Sequence, residues 1–150
     1  MRLKVTGTVV VDQAHLKKES DMKIMMYYDG TDCTKEALPV VMMRAKAFGA
    51  EVHVVASLPS GEEKDLKTID RMNVDLDYIQ SVFETQQVPC ETHLLITGRG
   101  AGEDIGAFAR KHEVDEIVIA TDRRTMMERL MANWMARRVM SDTRCPVLLT

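Results

Sequence analysis

From Lys23 onward the chain alternates between two kinds of segment, and that alternation admits few folds. Short apolar runs, at 24–28, 51–57, 90–97, 116–120 and 146–150, are separated by longer segments whose apolar residues recur every three or four positions. A run of about five apolar residues suits a strand buried on both faces, and a three-to-four spacing suits a helix with one buried stripe. Strands that alternate with helices become parallel neighbours joined by right-handed crossovers. The pattern therefore predicts an α/β fold: a doubly wound, Rossmann-like, five-stranded parallel sheet with helices on both faces.

Local signals place the elements. Asp29-Gly30 stops the first strand, and Thr31 or Asp32 can cap the helix after it. Proline lacks the N–H that a helix interior uses, so Pro39 is expected close to the helix entry or at a bend. Gly49 suits a helix C-terminus. The stretch 62–87 carries Leu66, Ile69, Met72, Leu76, Ile79 and Phe83 on one predicted core stripe. A helix over 103–112 points Ile105, Phe108 and Ala109 inward, and a last helix carries Met127, Leu130, Met131 and Trp134. Residues 1–21 join this pattern poorly: 5–11 reads as a strand weakened by Gly7, and 13–21 is mostly polar. They are read as an N-terminal arm, either a pairing strand or a disordered leader, with the domain spanning 22–150.

Size and charge narrow the function. A chain of 150 residues fits one domain able to bury a core without disulfides or metal. The net charge of −3 argues against a general nucleic-acid binder, which needs a basic face to neutralise phosphates. Charge is uneven, because from Thr121 to Arg144 the arginines Arg123, Arg124, Arg129, Arg137, Arg138 and Arg144 outnumber Asp122, Glu128 and Asp142. Cys33, Cys90 and Cys145 are odd in number and widely spaced, which suits free thiols in a reducing compartment. No apolar run approaches the roughly 20 residues that span a bilayer. A cytoplasmic protein without membrane contact is expected.

Several stretches invite a chemical role. Gly98-Arg-Gly-Ala-Gly102 resembles a phosphate loop, but Glu103 stands where a dinucleotide motif has its third glycine, and no Gly-Lys-Ser/Thr follows. A plain strand-to-helix turn is the better reading. Asp29, Gly30 and Thr31 end the first strand, where a doubly wound sheet binds ligands, and they serve equally well as a helix cap. Glu51-x-His53 and Glu91-x-His93 place two carboxylates and two imidazoles on one face of neighbouring strands, a set able to hold zinc. They lie at strand beginnings, away from the usual ligand edge, so partly buried histidines are expected and no metal. The 12 methionines fall mostly on core positions, with Met126, Met127 or Met131 available to line a contact. Cys33 reads as a structural thiol at a helix start. No arrangement of serine or cysteine with histidine and aspartate suggests a catalytic site.

Taken in order, these residues resemble the universal stress protein family over about 22–150. The marks are Asp29-Gly30-Thr31 after an apolar strand, Ala45-Lys-Ala-Phe-Gly-Ala50 before Glu51-Val-His-Val-Val55, Gly98 to Ile105, Val114-Asp-Glu-Ile-Val-Ile119, and Cys145-Pro-Val-Leu-Leu149. The resemblance implies a sheet of order 3-2-1-4-5, of the adenine nucleotide alpha hydrolase-like kind. It also implies a homodimer joined through the last strands, here Pro146, Val147, Leu148 and Leu149, and stress adaptation through protein partners. Many members hold ATP or AMP, with the base near the aspartate matching Asp29. Their phosphate loop has glycine, two residues, glycine, nine residues, then glycine and a small hydroxyl residue.

On this chain the loop positions are Ala120, Arg123, Asn133 and Trp134, and all four depart from the pattern. Backbone N–H groups that cradle an anion need to approach it without a Cβ in the way. The resemblance is therefore to the branch that does not hold ATP, and no cofactor is expected. An alternative is a nucleotide or small-anion sensor that uses Asp29 and the Arg123/Arg124 turn, since guanidinium groups grip phosphate bidentately. ATP or AMP is then the ligand. An ATP pyrophosphatase of related architecture would want serine and glycine ahead of the aspartate in Tyr28-Asp-Gly-Thr-Asp-Cys33, and these are missing. The chain is expected not to be an enzyme.

Overall fold

The computed structural model describes residues 22–121, 126–143 and 145–150, with the backbone alone at 127–129, 131, 132 and 142. Strands β1 (Lys23–Tyr27), β2 (Glu51–Leu58), β3 (Cys90–Ile96), β4 (Glu116–Ile119) and β5 (Val147–Leu149) form one sheet in the order β3-β2-β1-β4-β5. Every pairing is parallel. The crossovers carry helices α1 (Asp32–Phe48), α2 (Leu66–Thr85), α3 (Ala101–Lys111) and α4 (Met126–Asp142). The doubly wound sheet and its order agree with the sequence-based expectation.

Side-chain alternation divides the core. Ile24, Met26, Tyr28, Val52, Val54, Ala56, Cys90 and Val118 point to the face that packs Val41 and Ala45 of α1 and Met72, Leu76, Ile79 and Phe83 of α2. Met25, Val55, Ile117 and Ile119 point to the other, against Ile105, Phe108 and Ala109 of α3 and Ala136 and Val139 of α4. Burying each large apolar side chain contributes about 1.5–3 kcal/mol, and the two clusters together clamp the sheet from both sides. An ion pair adds a tie at the N-terminal edge: Arg44 of α1 binds Glu116 of β4 through two nitrogens, Nε to Oε1 at 2.6 Å and a terminal nitrogen to Oε2 at 2.5 Å.

Two local expectations need correction. Pro39 lies inside α1, well past its first turn. It and Lys35, whose carbonyl loses its bond partner, both sit on the exposed side, where water can satisfy that carbonyl. The helix of the second crossover starts at Leu66 after a 3₁₀ turn at Glu63–Asp65, and Leu66 is half-exposed rather than on the core stripe. On α4, among the described side chains, Ala136 and Val139 are buried, while Leu130 and Trp134 project into solvent. α3 packs close to this helix: a Cβ on Gly102 would come within 3.3 Å of Arg138 Cγ. Gly49 ends α1 as expected, in the left-handed region at φ 63°, with its N–H on Ala45 O.

Candidate functional site

In an open parallel sheet, ligands sit beyond the carboxyl ends of the strands where the strand order reverses. Here that point lies between β1 and β4, with Asp29, Gly30 and Thr31 on one side and Ala120 and Thr121 on the other. Gly30 has φ 82°, a conformation that side-chain-bearing residues rarely adopt, and it turns the chain from β1 toward α1. Thr31 is the N-cap of α1. The Asp29 carboxylate is exposed, and its Oδ1 accepts from Thr31 N at 2.9 Å, Thr31 Oγ1 at 2.6 Å and Thr34 Oγ1 at 3.1 Å. Asp29 thus organises the helix entry and still presents negative charge to the crevice.

Two tyrosines lie behind this turn. Burial, with the Asp29 charge as the smaller cause, pushes the Tyr27 phenol up to about 12. The Tyr28 phenol is also pushed up, by burial first and then by its hydrogen bond to Asp75 Oδ2 at 3.0 Å. Both remain neutral at physiological pH. Across the crevice Ala120 packs against the core, Thr121 N donates to Thr150 O at 2.9 Å, and Thr150 N donates to Ile119 O at 3.1 Å. Thr121 Oγ1 is buried and has no hydrogen-bond partner among the described residues.

Of the remaining expected positions, Asn133 and Trp134 lie on α4 with exposed side chains, Trp134 at 66%. Arg123, Arg124 and the 1–21 arm lie outside the described residues. Pro146, Val147, Leu148 and Leu149 occupy the β5 edge of the sheet, each at least partly accessible. Met126 is exposed at the start of α4. Glu51, His53, Glu91 and His93 come together at the opposite edge, the N-terminal ends of β2 and β3.

The glycine-rich turn is structural, and its central residue went unrecognised in the sequence. Asp104 is fully buried and accepts from Ser57 Oγ at 2.7 Å and Thr97 Oγ1 at 2.6 Å, with Arg99 Nε 3.3 Å from its Oδ1. It fastens the ends of β2 and β3 to α3. Nothing in the linear pattern separates it from its exposed neighbour Glu103, which faces Arg138 instead.

The sheet order and its crevice place the molecule among the doubly wound α/β proteins of the nucleotide-binding type of architecture. Comparison with known proteins sharpens this: residues 22–150 match the Universal stress protein family, and the chain belongs to that family. A universal stress protein of Methanocaldococcus jannaschii is 31% identical, the match covering 85% of this chain and 80% of that one. One from Thermus aquaticus is 30% identical over 84% of this chain and 96% of its own length. Among solved structures, a universal stress protein from Archaeoglobus fulgidus superposes with a TM-score of 0.70 at 27% identity, covering 85% of this chain and 92% of the other. A structure from the same organism in complex with dAMP gives 0.66 at 26% identity, covering 85% and 96%. No described helix is long and apolar enough to cross a membrane.

Proposed function

We propose that this chain is a non-catalytic, cytoplasmic universal stress protein module that acts through protein partners as a homodimer and does not hold ATP in the manner of the family's ATP-binding members. The observation that carries this reading is the make-up of the phosphate-loop positions: Ala120, Arg123 and Asn133 stand where bare backbone is needed, and Trp134 where a small hydroxyl residue is. Because Asn133 and Trp134 lie within α4 and Trp134 projects into solvent, the argument rests on the Cβ atoms at these positions more than on indole bulk. Self-association through β5 follows from an accessible, apolar edge strand, which would otherwise invite uncontrolled pairing.

A second reading, a sensor of a nucleoside monophosphate or small anion, has its own support. A relative at 26% identity is in complex with dAMP, and the base end of the crevice retains Asp29 and Thr31. The buried Thr121 hydroxyl is also available there as a hydrogen-bonding group. Isothermal titration of the full chain with ATP and magnesium, then with AMP, separates the readings. No heat with either ligand at millimolar concentration supports the partner-binding module. AMP heat that is abolished by Asp29→Ala or Arg123→Ala establishes the sensor, and tight ATP binding refutes the loop argument. Sedimentation of wild type against Leu148→Asp tests the dimer, and a wild-type monomer at tens of micromolar rejects it.

A further inference from the structure

At the edge of the sheet opposite the crevice, three metal-ligating side chains converge. His53 of β2 stands in register with Glu91 of β3, and Val55 with His93, so the odd-numbered residues of both strands share the face covered by α3. His53 Nδ1 lies 3.2 Å from His93 Nε2 and 3.8 Å from Glu91 Oε2, and His93 Nε2 lies 3.6 Å from the same oxygen. An ion bound tetrahedrally at about 2.0–2.1 Å from each ligand holds its ligands about 3.3–3.4 Å apart. The observed triangle has nearly that size. We infer that His53, His93 and Glu91 form a site for a divalent transition-metal cation, zinc being the best match to two imidazoles and one carboxylate.

The surroundings of His53 support this independently. The residue is 3% exposed, and its Nε2 makes no hydrogen bond, although Glu51 Oε1 stands only 2.9 Å away, off the N–H direction. If Nδ1 carries the proton and donates to His93, Nε2 turns a lone pair toward a carboxylate. If Nε2 carries it, Nδ1 is a lone-pair donor facing the second imidazole. A metal ion between the two imidazoles favours the second tautomer, which removes the Nε2 lone pair that otherwise faces the Glu51 carboxylate.

The rest of the site suits an ion with one open position. Phe108 and His112 of the α3 end pack over the imidazoles, His112 with its ring centroid 5.8 Å from that of His53 and 5.7 Å from that of His93. Glu91 is 61% exposed and gives the ion a path from solvent, leaving the fourth coordination position to water. Two carboxylates, Glu51 and Glu91, offset a doubly charged ion. Lys23 opposes it, but its Nζ is turned to the His112 carbonyl at 3.0 Å.

The test uses the full chain, stripped with a chelator and titrated with zinc alone against a competing chromophoric chelator, and separately with cobalt(II) alone. The expected result is one zinc per chain and a cobalt complex with the strong visible absorption of a tetrahedral site. His93→Ala and Glu91→Gln, at positions accessible enough to leave the fold intact by circular dichroism, should each weaken zinc binding at least tenfold. Zinc should raise the thermal midpoint of wild type and not that of the double variant. Equal zinc affinity in wild type and double variant overturns the site and leaves a hydrogen-bonded histidine pair.

Discussion

Removing the carboxylate of Asp104 probes how the ends of β2, β3 and α3 are held together. Asp104→Ala deletes the buried acceptor for two part-buried hydroxyl bonds, from Ser57 and Thr97, and leaves both hydroxyls without a charged partner. A hydrogen bond to a charged group contributes about 1.5–3 kcal/mol net, and some of that sum is returned because a buried carboxylate no longer needs to be desolvated. Arg99 is half-exposed, so its attraction for Asp104 adds little. The expected loss is about 3 kcal/mol. With a urea m-value of about 2 kcal/mol/M this lowers the midpoint by roughly 1.5 M, and the thermal midpoint by about 10 °C. Asp104→Asn keeps the shape and one acceptor, and should cost about 1–2 kcal/mol. Equilibrium urea unfolding followed by circular dichroism measures both. A loss below about 1 kcal/mol for Asp104→Ala would show that the network is incidental and that apolar packing alone positions α3.

Pro39→Ala should stabilise by about 1–2 kcal/mol, because it restores an interior helix bond at an exposed site; a lower urea midpoint would refute this. Gly30→Ala forces a Cβ into φ 82° and should cost about 1–2 kcal/mol even though space is available, the Met72 methyl being 3.7 Å away. In metal-free protein, stability should fall as pH drops below about 6.5, the ordinary imidazole value. His53 and His93 have lowered folded-state pKa values, so the unfolded chain binds more protons there and unfolding is favoured by acid. The facing charges are Glu51, Glu91, Lys23 and His112, and a His53→Gln variant should show a flatter urea midpoint between pH 7.5 and 5. Burial pushes the Cys90 thiol up to about 12 and Cys145 up to about 11, so both should resist alkylation at pH 8 until denaturant is added.

The architecture was legible in the sequence because its signals are short-range. Apolar runs bounded by Asp29-Gly30 and Gly49, and helical stripes such as Met72-Leu76-Ile79-Phe83, encode strand and helix through period alone, and handedness limits how such elements connect. On α4 the sequence placed apolar residues without assigning them an inner face, and the tertiary packing buries Ala136 and Val139 while Trp134 stays in solvent. Pro39 misled for the same reason, since its tolerance depends on which side of α1 meets water.

Residues distant in the chain acquire chemistry only by register. The two Glu-x-His patterns announced a common face, yet whether they meet depends on the alignment of β2 with β3, which sets His53 opposite Glu91 and brings His93 within 3.2 Å. Local spacing along a chain is fixed by covalent geometry and therefore written in the sequence. Distances across a sheet are set by which strands pair and how far each is slid, and those are decided by the burial of the whole core.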